Sequence, residues 1–160
     1  MKNYTIIFIL LAVLSASCSK KTVILSEDEL PEDIFYLQDE IKPFSGTCYI
    51  YFSGTEILKE ELNFKEGVLH GSRVSYFKNG QVKREGSYEN GRYQGIWRGF
   101  NLSGNQLFEV EYKQDTLTGK FISWHATGVI KEKGLYKNNT RIGEWIRYDE
   151  AGMITRKELL

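Results

Sequence analysis

From residue 46 onward the chain alternates apolar with charged positions in runs of six to eight residues. Examples are Val82-Lys83-Arg84-Glu85-Gly86-Ser87-Tyr88 and Ile130-Lys131-Glu132-Lys133-Gly134-Leu135-Tyr136. A period of two marks strands with one solvated face, whereas a helix needs apolar residues three and four apart over about ten positions. No segment of this region supplies that spacing. Between the runs stand Asn79-Gly80 and Asn90-Gly91, the strongest hairpin dipeptides, with Ser103-Gly104, Thr127-Gly128 and Ala151-Gly152 in the place of the first. The pattern predicts an all-β protein, an elongated single antiparallel sheet of stacked β-hairpins.

The hairpins repeat. Gly71, Gly95, Gly119 and Gly143 fall at an unbroken spacing of 24, and nine residues after each stands Gly80, Gly104, Gly128 or Gly152. With a less regular copy from Gly46, five repeats of about 24 residues occupy 46–160. The sixth position of each is aromatic: Tyr51, Tyr76, Phe100, Trp124 and Tyr148. A second ring column, Phe64, Tyr88, Tyr112 and Tyr136, is followed three residues on by Gly67, Gly91, Asp115 or Asn139, types that tolerate positive φ. Ten strands at about 4.8 Å would extend roughly 48 Å.

Parity assigns the faces. Val74 with Tyr76, Ile122 with Trp124, and Ile146 with Tyr148 share one side, where Tyr88 and Tyr136 are expected to meet them in an aromatic ladder. Lys83, Glu85, Glu109, Glu111, Lys131 and Lys133 belong to the solvated side. Gly86 and Gly134 leave room for a neighbouring ring, and Val110 breaks that column. Trp97, Phe121 and Trp145 have parity opposite to the ladder, so they are either exposed or reached across a bulge.

The amino terminus has another character. Lys2, the apolar run Ile6 to Leu14 and the small residues after it form a secretory signal over 1–17. Nine apolar residues rise only about 14 Å as a helix, short of a roughly 30 Å hydrocarbon core. Ser15-Ala16-Ser17-Cys18-Ser19 resembles the lipobox of bacterial lipoproteins, with Ser15 where Leu is usual and Leu14 one place earlier. That resemblance implies acylation of Cys18 and a lipid-anchored protein of the bacterial cell envelope; the alternative is a secreted protein cut near Ser17. Residues 18–33, with Glu27-Asp28-Glu29 and Glu32-Asp33, form an acidic tether. They lack the Gly turn of a calcium loop.

The pattern Gly-x-Trp-x-x-Tyr, then Gly-x-Ile, is clearest at Gly143-Glu144-Trp145-Ile146-Arg147-Tyr148 with Gly152 and Ile154. It resembles the MORN-repeat variant of many bacterial proteins, including lipoproteins and proteins labelled antitoxins. Gly71 to Gly80 is nearly as good, with Arg73 in the Trp column. Ile34-Phe35-Tyr36-Leu37 and Pro43-Phe44-Ser45 are similar to the capping strand before the first copy in such proteins, which places a cap at 34–45.

Charge and composition narrow the partner. Twenty-one basic residues balance 21 acidic ones, which excludes a nucleic-acid binder held by phosphate contacts. His70, His125 and Cys48 have no ligand-like spacing, so neither a metal nor a cofactor is expected. Cys48 stands in the third column of its copy, where a packed thiol outweighs a nucleophile, and no nucleophile elbow or phosphate loop occurs. An enzyme is therefore disfavoured. The expectation is a non-catalytic, envelope-tethered binding or scaffold lipoprotein whose partner is another protein, with an antitoxin or immunity-like protein as the alternative. Trp97, Phe121 and Trp145 are the candidate contact residues, unless they pack within a curled sheet.

Overall fold

A computed structural model describes residues 21–25 and 42–160. The signal segment 1–17, the lipidation site Cys18, the acidic residues 26–33 and the Ile34–Leu37 part of the cap lie outside the described residues.

Eleven strands form one sheet in chain order. They are β1 (Lys21–Leu25), β2 (Gly46–Tyr51), β3 (Leu58–Lys65), β4 (Val68–Tyr76), β5 (Val82–Glu89), β6 (Arg92–Phe100), β7 (Gln106–Lys113), β8 (Thr116–Trp124), β9 (Ile130–Lys137), β10 (Thr140–Tyr148) and β11 (Ile154–Leu159). The ten strands β2 to β11 are the expected five hairpins, antiparallel throughout. β1 was not expected. It pairs parallel with β2, making the sheet mixed, and it falls inside the stretch assigned to the solvated tether. Val23 and Leu25 explain the correction: they bury against Phe44, Cys48, Ile50, Leu62 and Phe64, apolar area that the acids further along cannot offer. The β2 edge is thus covered by residues 21–25.

Two kinds of turn alternate. At Glu66-Gly67, Asn90-Gly91, Gln114-Asp115 and Asn138-Asn139 both residues have positive φ, the two-residue hairpin whose twist matches the strands. The expected columns of Gly, Asp and Asn sit at the second of these positions. The turns of the other margin behave differently. Phe77 N–H donates to Gln81 O, Gly80 N–H donates to Phe77 O, and only Gly80 has positive φ. This three-residue loop ends in a bulge, because Tyr76 faces Val82 while Ser75 faces Arg84, leaving Lys83 unpaired. The same shift recurs at Phe100 in β6, Trp124 in β8 and Tyr148 in β10.

Gly71, Gly95, Gly119 and Gly143 are not turn residues. They lie inside β4, β6, β8 and β10 with φ of 96°, 71°, 65° and 66°, where the forward strand bulges against the preceding return strand. The turns also bond to one another along the sheet. Gly91, Asp115 and Asn139 N–H groups donate to the carbonyls of Leu69, Tyr93 and Leu117, and Asp115 and Asn139 side chains accept from Tyr93 and Leu117 N–H in return. At the opposite margin Asn79 and Asn105 side chains donate to Leu102 O and Ala126 O.

Candidate functional site

The bulge after each three-residue loop decides what each face carries. One unpaired residue turns the whole return strand over. Tyr88 therefore stands opposite Gly71 and next to Tyr93, on the side of Arg73 and Trp97, and not with Tyr76. The aromatic ladder exists, but it is built by the third column together with Tyr88, Tyr93, Tyr112 and Tyr136.

On this packed face Trp97 is 2% exposed. Its ring lies over Gly86, 5.3 Å from Tyr88 and 4.6 Å from Tyr93, and its indole N–H donates to Ser87 O at 3.1 Å. Trp145, also 2% exposed, lies over Gly134, 5.6 Å from Phe121 and 5.1 Å from Tyr136. Phe121, half-buried, faces both Val110 and Gly134. Val110 stands between Trp97 and Phe121, and Gly86 and Gly134 lie beneath Trp97 and Trp145. Above the rings the guanidinium of Arg84 sits 4.6 Å from Trp97 and that of Arg141 sits 4.0 Å from Trp145. Among the described residues no second layer of backbone covers these rings, and the sheet's own long side chains lie over them. The candidate contact residues Trp97 and Trp145 are thus core residues, the alternative of internal packing being the one observed.

Ion pairs complete this layer. Glu60 accepts from Arg73 at 2.7 Å, and Glu132 accepts from both Arg141 and Arg147. Burial pushes the Tyr88 phenol up to about 12, reinforced by its hydrogen bond with Tyr93 and opposed by the Arg73 guanidinium, which donates to its oxygen at 3.3 Å. Arg73 itself rises above its ordinary value: burial works against its charge, but Glu60 and Tyr88 overcome it.

The opposite face holds the sixth column. Tyr51, Tyr76, Phe100, Trp124 and Tyr148 are all half-buried, one per copy. The Tyr76 phenol is raised first by burial and then by Glu61, Tyr49 and Glu85, which identifies its neighbours. Beside the rings a second row crosses ten strands in continuous register: Tyr49, Glu61, Val74, Glu85, Arg98, Glu109, Ile122, Lys133, Ile146 and Lys157. Its return-strand members are Glu in the first three copies and Lys in the last two. Arg98 bridges Glu109 at 2.8 Å and Glu85 at 3.4 Å, and the Lys133 ammonium lies 5.6 Å from the Tyr148 ring. Parity across the hairpin could have assigned this row only if the bulge had been foreseen.

The residues considered for chemistry remain apart. Cys48 is 0% exposed within the first core cluster. His70 accepts from Asn90 N–H at 3.4 Å, and the His125 ring bonds Tyr148 O at 3.0 Å, so both serve turns. Among the described residues no three His, Cys, Asp or Glu side chains come together as a metal site would require. A shallow recess of about 300 Å³ lies at the margin between Phe52, Lys59, Phe77 and Lys83.

Residues 69–90 and 117–138 match the family model described as MORN repeat variant. Each match runs from the start of a forward strand, through the three-residue loop, to the next two-residue turn, which is one structural repeat. Repeats of this kind are generally binding or scaffold motifs. No curated protein sequence matches the chain.

Proposed function

We propose that this chain is a non-catalytic binding or scaffold module, held at the bacterial cell envelope by a lipid on Cys18, that offers the sixth-column face to another protein. The observation that carries the reading is the row Tyr51, Tyr76, Phe100, Trp124 and Tyr148. It is unbroken over five copies and half-exposed among the described residues, on the side of the sheet opposite the packed rings. Tyr and Trp combine large contact area with few rotatable bonds, so rigidly mounted rings of this kind dominate interface energetics. The anchor reading rests on the order of residues 1–19.

The test has two arms. The intact mass of the protein from its host reports acylated Cys18 or refutes it. Co-purification of the wild type against Phe100→Ser and Trp124→Ser reports the face: a partner lost with both substitutions supports the proposal, and one retained by both overturns it. A single stoichiometric partner that is toxic alone would establish the immunity reading instead.

A further inference from the structure

The charge row on the sixth-column face is dipolar, and its two halves are self-complementary. Its return-strand column reads Glu61, Glu85, Glu109, Lys133 and Lys157 at intervals of 24, so the sign changes once, between the third copy and the fourth. The Arg98 bridge to Glu85 and Glu109 has no counterpart at Lys133, whose strand neighbours are Ile122 and Ile146 and whose ammonium lies by the Tyr148 ring, while Lys157 pairs at 3.2 Å with Glu144 of its own chain. A half-turn about an axis lying in the face along β7 reverses strand order and keeps strand direction. It sets Glu61 against the partner's Lys157 and Glu85 against the partner's Lys133. The same operation sets Val74 on the partner's Ile146, Tyr76 on the partner's Tyr148, and Phe100 on the partner's Trp124. Acid meets base and ring meets ring, twice over, in an isologous contact, while Arg98, held by Glu85 and Glu109 of its own chain, falls on the partner's Ile122.

We infer that the occupant of this face is a second copy of the same chain, packed sheet to sheet with strand order reversed about β7. The inference deepens the proposed binding role of the same face and rests on it. Area supports it: five residues along each strand cover about 17 Å, and the nine strands β3 to β11 that overlap about β7 cover about 43 Å, or roughly 730 Å² per copy. Roughly 800 Å² per copy is the standard size of a specific interface. Glu109 lies on the axis, and Arg98 at 2.8 Å neutralises what would otherwise be a like-charge meeting.

Analytical ultracentrifugation of the full chain, from low micromolar to about 200 µM in 50 mM and 500 mM salt, tests this. The wild type is expected to dimerise, and more weakly at high salt. Lys133→Glu with Lys157→Glu, or Glu61→Lys with Glu85→Lys, should each weaken the dimer on the order of 100-fold, since like-charge juxtaposition costs several kcal/mol. Mixing the two double variants should restore a dimer, because every facing pair is again opposite in sign. The chain carrying all four substitutions should dimerise as well. A monomeric wild type overturns the inference, as do double variants that still dimerise or a mixture that stays monomeric. A monomeric wild type that still loses its host partner with Trp124→Ser would leave the binding role standing and remove only the second copy.

Discussion

Gly86 exists to seat Trp97, and Gly86→Ala measures how firmly. Its φ is not in the left-handed region, so the backbone accepts Ala, and on an open strand the change would stabilise by about 0.4–1 kcal/mol through the unfolded chain. Here the added methyl would stand 2.6 Å from Trp97 Cγ and closer still to Cδ2 and Cε2. The ring cannot slide away. Tyr88 and Tyr93 wall it, Arg84 lies over it, and its N–H is tied to Ser87 O. Overpacking of this sort costs about 1–3 kcal/mol, and displacing the indole from Ser87 adds about 1 kcal/mol. The net expectation is a loss of about 2 kcal/mol, or roughly 4–8 °C in Tm for a chain of this size. Trp97→Ala alone should cost about 3–5 kcal/mol. In the double variant the new methyl occupies part of the vacated space, so the two losses should fall short of additivity by about 2 kcal/mol. Denaturant titration followed by tryptophan fluorescence and by circular dichroism supplies all four corners of the cycle. A Gly86→Ala protein as stable as the wild type, or strictly additive losses, would refute the seating argument.

Three further expectations rest on other contacts. Asp115 combines φ of 65° with a side chain that accepts from Tyr93 N–H at 2.7 Å, so stability should rank wild type above Asp115→Gly above Asp115→Ala, with steps of about 1 kcal/mol in thermal melts. Glu132→Gln leaves Arg141 and Arg147 without their shared carboxylate; because both guanidinium groups are partly exposed the cost should be about 1 kcal/mol, shrinking in 1 M salt, and a red shift of Trp145 emission should report the loosened Arg141. The Tyr88 phenol, pushed up to about 12 first by burial, keeps its proton in the fold at a pH where the unfolded chain, at about 10, has released it. Between pH 10 and 12 the folded state binds more protons, so stability falls with rising pH in that window, and Tyr88→Phe should flatten this part of a pH-dependent denaturation profile.

The five hairpins were legible because the residues that specify them act locally. Asn90-Gly91 and Asn138-Asn139 need no distant partner to adopt two positive φ values, and their spacing fixes strand length. Which side buries the rings was not legible, and the reason is a single residue per repeat. Lys83 belongs to an ordinary alternating run, yet the Gly80 loop leaves it unpaired, and Tyr88 then emerges on the side opposite to Tyr76. A two-residue periodicity carries no signal of such a slip. Trp97 and Trp145 consequently read as leftover rings when they are the centre of the packing. The clue that was available was the pairing of sizes, Gly86 beneath Trp97 and Gly134 beneath Trp145. The parallel strand at 21–25 escaped for a different reason: Val23 and Leu25 are too short an apolar segment to announce a strand, and only the open β2 edge gives them something to bury against.

Because the backbone ladder of each described strand runs to the strands before and after it in the chain, tension applied between distant points would peel the ribbon a few bonds at a time. It would not shear many bonds at once. Each repeat released would lengthen the molecule by about 24 residues of extended chain, near 80 Å, less the roughly 10 Å that two strand spacings occupied. The result is a soft, stepwise extensible strap, in which one hairpin can give way under load while its neighbours hold.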